Sequence, residues 1–304
     1  MDLNQLEVLV AVAQEKGFSR AAERLGRTQP AVSQAIRRLE VEIGTAVFDR
    51  SSKDGTLTDA GRVLHEYAQQ MLNLRRDARN AMQELGDLQR GKVVIAANEY
   101  TVTHLLPIVS TYRALYPQIK IEVKRSLARQ IPSEILGRDA EMGVVTYRPS
   151  QPGLTAVAIA RDELALLVAP GHPLALAARA EVSVRELGVE CFLAHNIRSP
   201  YRERVVRTFE RYRTPLQIVM EMPTLEAIKR LVARGLGVAL MPRRVAQTEI
   251  SRGEVVALTV PEMRFERPVQ LIYRSGADLS HAARAFLACA RARQRGNDQP
   301  SAGP

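Results

Sequence analysis

Apolar residues recur at helical spacing from the first residues of the chain. Leu3, Leu6, Leu9, Val10 and Ala13 fall on one side of a helix over 3–15, with Glu7 and Gln14 opposite. A second set, Phe18, Ala21, Leu25, Ile36 and Leu39, needs two further helices separated by a turn. Within it Ala22 is small enough for close helix packing, Gly26 supplies the turn and Val32 fills the angle between the helices. This spacing predicts a three-helix unit containing a helix-turn-helix. Asp54-Gly55, between short extended stretches, predicts a small hairpin wing after it. Thr58 can cap a long helix that follows. From Leu64 its apolar or small residues keep a heptad, with Leu64, Met71, Ala78 and Leu85 at one position and Tyr67, Leu74, Ala81 and Leu88 at the other. Such a helix pairs with a second copy of itself or packs along its own domain.

Past Gly91 the pattern changes. Strands are predicted at 93–97, 119–123 and 142–146, with helices at 103–116 and 132–138 between them. The theme repeats with strands at 191–194, 217–221 and 237–241 and helices at 200–213 and 225–235. Two similar α/β halves imply two lobes with a cleft between them. The extended stretches 154–168 and 255–273 are the expected crossings, so the first lobe recovers a C-terminal helix at 280–294. The organisation is therefore an N-terminal all-α winged helix-turn-helix over 1–58, a linker helix over 59–90 and a two-lobed α/β domain over 91–304. Lobe I takes about 91–161 and 267–304, and lobe II about 162–266.

The polar face of the second motif helix suggests what the N-terminal unit does. Thr28, Gln29, Ser33, Gln34, Arg37 and Arg38 all lie opposite its apolar side. Thr28 can cap the helix and Pro30 suits its first turn. Gln29 then lies near the leading end, where a recognition helix meets base edges, and glutamine bonds adenine in a bidentate way. Arg37 and Arg38 suit guanine or phosphate, and Arg50 and Lys53 at the wing suit phosphate. The plainer reading is a helical hairpin with a solvated face. Charge does not separate the two: residues 1–92 carry 14 Lys and Arg against 13 Asp and Glu, although 20–53 carry 7 against 4.

The run Ala21-Ala22, Leu25, Thr28-Gln29-Pro30-Ala31-Val32-Ser33, Ile36, Leu39-Glu40, Gly44, Phe48-Asp49-Arg50 and Leu57-Thr58-Asp59-Ala60-Gly61 resembles the winged helix-turn-helix of LysR-type bacterial transcriptional regulators. The resemblance implies a DNA-binding domain, a linker helix and an effector domain similar to periplasmic binding proteins. It also implies that Gln29, Pro30, Ser33 and Arg37 sit in the major groove and that Arg50 touches the backbone. The wing here departs from the family in carrying only Lys53 where more basic residues are common.

Ligands in such sheets bind beyond the carboxyl ends of the strands. The candidates for an effector site are therefore Asn98, Tyr100 and Thr101 after the first strand, Ser126 after the second and Tyr147 after the third. His195, Arg198, Ser199, Tyr201 and Thr224 are the candidates in the second lobe. Backbone amides at the helix starts near Thr101, Ser199 and Thr224 favour an anionic or polar group. Glu99 works against an anion there unless it is paired.

Other chemistry is absent from the sequence. Cys191 and Cys289 read as small core residues, and the five histidines form no metal spacing. No cofactor is expected. Gly235-Leu-Gly237 precedes a strand rather than a helix and fails as a dinucleotide loop, and no Gly-x-Ser-x-Gly elbow or phosphate loop occurs. An uncharged stretch at 164–178, broken by two prolines and a glycine, is too short to span a bilayer. With no signal peptide and few cysteines, a cytoplasmic location is expected. The sequence thus points to a non-enzymatic regulator that binds double-stranded promoter DNA as a homodimer or homotetramer and answers to a small polar or anionic metabolite. A solute-binding protein or an enzyme on a two-lobed scaffold is the alternative.

Overall fold

The computed structural model describes residues 1–49, 54–86, 91–197, 199–265, 267–276 and 279–297. The first three helices, α1 (Leu3–Glu15), α2 (Phe18–Leu25) and α3 (Gln29–Ile43), form a tripod around Leu6, Leu9, Val12, Ala21, Val32, Ile36 and Leu39, all buried. Local sequence sets each end. Asp2 accepts from the Gln5 amide at 2.7 Å while the Gln5 side chain accepts from the Asp2 amide at 2.8 Å, a reciprocal cap on α1. Gly26 ends α2 at φ 63°, a left-handed conformation that glycine adopts without a steric penalty. After α3 the chain turns back, held where Glu40 accepts from the Val47 amide at 2.9 Å, and Phe48 bridges Leu57 in antiparallel register.

Helix α4 (Asp59–Gly86) leaves this unit through a tight joint. Thr58 accepts from the Gly61 amide at 3.0 Å and donates to the Ala46 carbonyl at 2.8 Å. A β-carbon on Gly61 would lie 2.0 Å from the Val47 carbonyl oxygen, so only glycine fits. Leu64, Ala68 and Leu72 of α4 pack on the three-helix core. Farther along, buried Asn73 donates to the Gly137 carbonyl at 2.8 Å and to Asp139 at 3.0 Å, and Arg138 pairs with Asp77 at 2.9 Å. These contacts dock the helix on the following domain.

That domain contains β1 (Gly91–Ala97), α5 (Val102–Leu115), β2 (Ile119–Arg125), α6 (Ile131–Leu136), β3 (Met142–Val145), β4 (Leu154–Asp162), β5 (Leu164–Val168), α7 (Pro173–Leu176) and β6 (Cys191–His195). It continues with α8 (Pro200–Arg211), β7 (Gln217–Met222), α9 (Leu225–Ala233), β8 (Ala239–Pro242), α10 (Gln247–Ser251), β9 (Val256–Leu258), β10 (Arg267–Arg274) and α11 (His281–Asn297). One sheet has the order β2-β1-β3-β10-β4. Strands β1, β2 and β3 are parallel, while β10 runs antiparallel to both its neighbours, because it enters from the other lobe. Its core centres on Ile95, Tyr112 and Phe286, with the Tyr112 hydroxyl donating to the Ala282 carbonyl at 2.9 Å.

The second sheet joins β7-β6 to β8-β5-β9 through a parallel bridge between Phe192 and Val238. Phe192 and Phe209 meet edge to face in its core, at 5.4 Å. Only Glu163 separates β4 from β5, and the return crossing runs from β9 into β10. Cysteine use differs from the expectation. Cys289 is buried, but Cys191 is exposed at the start of β6, where Phe192 and Leu193 rather than Cys191 turn to the core.

Candidate functional site

Two regions collect the residues singled out from the sequence. On α3, Thr28, Gln29, Pro30, Gln34, Arg37 and Arg38 are exposed and Ser33 is half-buried, while Val32, Ile36 and Leu39 seal the opposite side. The Gln29 amide donates to the Ser33 hydroxyl at 3.0 Å, one helical turn on, which presents the two as a fixed pair. Neither Arg37 nor Arg38 makes an ion pair among the described residues, so both guanidinium groups are free for an anionic partner. Thr28 departs from expectation: it stands at the cap position with extended backbone, yet its side chain makes no capping bond. Pro30 has no N–H to offer it, and the Ala31 amide three residues on is not used either. Arg27, not anticipated from the sequence, bonds Asn4 at 2.6 Å just ahead of α3. Arg50 and Lys53 lie outside the described residues.

The linker helix also carries an exposed apolar stripe: Val63, Tyr67, Met71, Leu74 and Met82. Its members are three, four or eight residues apart, one helical face. The expected seam is thus shifted. Leu64 packs on the three-helix core and Val63 takes its place on the outer face, because Leu64 and Ala68 turn toward α1. Leu88 lies outside the described residues.

The second region is the cleft between the two sheets. A cavity of about 550 Å³ is lined from one side by Asn98, Tyr100, Ser126 and Ala128 and from the other by His195, Ser199 and Pro200. A chamber of about 80 Å³, walled by Asn98, Tyr100, Ala128, Tyr147, Ser199, Tyr201, Arg204 and Arg267, lies beside it. Arg204, Arg267 and Tyr147 also line a larger recess of about 990 Å³ on the far side. The polar groups of the loops are mostly engaged. Asn98 accepts from the amides of Tyr100 at 3.0 Å and Thr101 at 2.9 Å, and Ser126 donates to Glu134 at 2.6 Å. Tyr147 donates to the Ala128 carbonyl at 2.9 Å and Ser199 caps α8 through the Arg202 amide at 3.2 Å. Thr101 is fully buried and its hydroxyl is exchanged with the Asn98 backbone, so it shapes the loop. Arg198 lies outside the described residues.

The expectation of a free anion site at the start of α9 is not met. Thr224 caps the helix through the Ala227 amide at 3.2 Å, but the Leu225 amide is already taken by Glu99, whose Oε1 lies 2.8 Å away. The other carboxylate oxygen accepts from His195 Nε2 at 3.2 Å. His195 Nδ1 accepts from the Ile197 amide at 3.1 Å, which fixes the proton on Nε2 and makes it the donor. Glu99 follows β1 in one lobe, whereas His195 and Leu225 belong to the other. The residue that seemed to oppose ligand binding is therefore an internal carboxylate that clasps the lobes together.

Beyond this clasp the chamber is aromatic. The Tyr100 ring lies 5.9 Å from His195 and 6.5 Å from Tyr201. Burial, reinforced by Glu99, pushes the Tyr100 phenol up to about 12 against the opposing pull of Arg267 and Arg202. Burial raises Tyr201 further still. Both therefore remain neutral hydroxyl donors at physiological pH, and the Tyr201 hydroxyl is sealed from solvent with no partner among the described residues. Sequence reasoning missed Glu99 as a clasp, Arg204 and Arg267. Among the described residues no three His, Cys, Asp or Glu side chains are grouped to hold a metal ion, and no helix is long and apolar enough to cross a membrane.

Comparison with known proteins covers both regions. Residues 86–295 match the family model of the LysR substrate binding domain, and residues 3–62 match that of the bacterial regulatory helix-turn-helix protein, lysR family. A probable RuBisCO transcriptional regulator of Emiliania huxleyi is 30% identical over 280 residues, spanning 89% of this chain and 88% of that protein. Its counterpart in Synechocystis sp. is 29% identical over 292 residues, spanning 94% and 84%. Among solved structures, full-length CbnR in complex with its target DNA superposes with a TM-score of 0.71 at 19% identity, covering 96% of this chain and all of that one. ArgP from Mycobacterium tuberculosis gives 0.68 at 23% identity, covering 97% of this chain and 98% of that one.

Proposed function

The chain belongs to the LysR family of bacterial DNA-binding transcriptional regulators, and from that premise we propose that α3 reads promoter DNA while a small molecule between the lobes controls how two such helices are presented. The observation that carries the reading is the face of α3: a fixed Gln29–Ser33 pair and two arginines without ion pairs among the described residues, on a helix whose other side is sealed in a core. Gln29, Ser33 and Arg37 contact base edges in the major groove. Pro30 enters the groove beside them, Thr28, Gln34 and Arg38 fit the phosphate walls, and Arg50 and Lys53 add sequence-independent contacts.

In this reading residues 1–58 are the DNA-binding unit, 59–90 the linker and 91–304 the effector domain. The stripe from Val63 to Met82 on the linker pairs two chains as a homodimer, from which a tetramer can be built. A dimer brings two α3 helices to half-sites a helical turn or a multiple of it apart, which multiplies specificity. The protein works in the cytoplasm, where bacterial promoter DNA lies. The lobes hold the effector among Asn98, Tyr100, Ser126, Tyr147, His195, Ser199 and Tyr201, and Arg198 adds a positive charge to its recognition. Because α4 is docked on lobe I through Asn73, Asp77 and Arg138, a change in lobe angle is passed to the helix that positions α3.

Two measurements test the two halves. Selection from random DNA by the full-length protein should recover a sequence with two related half-sites; recovery of no preferred sequence refutes the reading of α3. Ala128→Trp, which fills the cleft, should abolish any change in promoter binding produced by a deproteinised bacterial extract. An unchanged response would place the effector elsewhere.

A further inference from the structure

Arg267 opens β10 at the return crossing and is 5% exposed. Among the described residues its guanidinium makes no ion pair and no hydrogen bond, and Nη1 is sealed from solvent without a partner. The Tyr201 ring lies 4.5 Å below the guanidinium carbon. Arginine cannot shed its proton in a protein, so burial leaves a full positive charge that an aromatic face compensates only in part. The nearest carboxylate across the strand pair is Asp162, which is already committed: Oδ2 lies 3.3 Å from His104 Nε2 and Oδ1 accepts from the Glu163 amide at 3.0 Å. Arg204, stacked 4.1 Å over Phe265, shares two cavity walls with Arg267 and likewise has no ion pair among the described residues. Two guanidinium groups and a Tyr201 hydroxyl without partners among the described residues thus converge on one chamber.

We infer that the effector is an anion, a carboxylate or phosphate compound, whose charged head is held by Arg267 with Arg204. This rests on the reading of the cleft as the effector site. Another place where an anion would settle, the start of α9, is filled by Glu99, so the cleft is acidic at the α9 end and basic at Arg204 and Arg267. A planar guanidinium matches a carboxylate or phosphate through two parallel hydrogen bonds, and Tyr201 supplies a third donor. Arg267 and Asp162 sit opposite each other where the chain passes between lobes, so the anion binds at the pivot itself.

The test is thermal unfolding of the full-length protein at constant ionic strength, with succinate, inorganic phosphate and the neutral isostere succinamide as probes. Succinate or phosphate should raise the melting temperature by about 5 °C near saturation, with no response to succinamide. Arg267→Gln should lose that response while still melting cooperatively in anion-free buffer. Arg204→Gln, at an exposed position, tests the same site without touching the core and should weaken the response severalfold. An anion response that survives both substitutions overturns the proposal, as does the absence of any response to either anion. Equal responses to succinate and succinamide also overturn it while leaving the cleft reading standing, whereas an extract response that survives Ala128→Trp removes the cleft reading.

Discussion

Replacing Glu99 by alanine should loosen the contact between the lobes, and the structure gives the size of the effect. The Glu99 carboxylate holds one bond to the Leu225 amide at 2.8 Å and one from His195 at 3.2 Å. A hydrogen bond to a charged group contributes about 1.5–3 kcal/mol. A negative charge in the first turn of a helix adds about 0.3–1 kcal/mol. Glu99 is 30% exposed, so water screens part of this, and about 2 kcal/mol is the expected loss. The Leu225 amide has no partner within α9, because it belongs to the first turn, so its protection against hydrogen exchange reports the clasp directly. A loss of about 2 kcal/mol corresponds to roughly 30-fold faster exchange at that amide. Glu99→Gln keeps an acceptor and loses the charge, and should fall between the two. If Leu225 in Glu99→Ala exchanges within about twofold of wild type, the clasp contributes nothing and the reasoning fails.

Base reading, the joint below the linker and chain pairing can each be probed by one substitution. Gln29→Ala should lower preference for the selected site over random DNA by about 1–3 kcal/mol in competition binding, whereas Arg38→Ala should weaken both alike and flatten the salt dependence; equal losses for Gln29→Ala would argue against base reading. Gly61→Ala puts a methyl group against the Val47 carbonyl and should destabilise the joint below α4 by about 1–3 kcal/mol or more, seen as a lower melting temperature of the DNA-binding unit. Leu74→Glu, in the middle of the exposed stripe, should shift sedimentation equilibrium toward monomer by tenfold or more, about 1.4 kcal/mol per factor of ten, with little change in the fold of each chain.

The N-terminal unit was legible because its signals are local. The turn at Gly26, the plug at Val32 and the apolar rows of α1 and α3 all fall between Leu3 and Ile43, so spacing within one short stretch specifies the contacts. The alternation of strands and helices was equally plain. What spacing could not reveal is which residues meet after the chain has crossed twice. Glu99 and Leu225 are 126 positions apart, and nothing near Glu99 in sequence indicates that its charge ends on the first turn of a distant helix. Arg267 reads as an ordinary polar residue opening a strand, and it becomes informative only because it lacks a hydrogen-bond or ion-pair partner among the described residues. The linker misled for a related reason. A heptad identifies apolar positions without saying which face is already occupied, and here Leu64 belongs to the neighbouring core while Val63 faces outward. Thr28 shows the limit of cap rules: it stands at the cap position ahead of α3, and its side chain still makes no capping bond.

The place of β10 between β3 and β4 has a consequence for how the molecule comes into being on the ribosome. Strand β4 is joined to its sheet through β10 alone, and the core beneath them is completed by Phe286 of α11. Lobe I therefore stays unfinished until nearly the whole chain has been synthesised, while the DNA-binding unit and then lobe II have all their own parts earlier. A nascent chain stalled before residue 267 would carry an assembled α3 above a lobe with an open sheet edge. The part able to grip DNA is made before the part able to govern it, so premature termination yields a binder without its control.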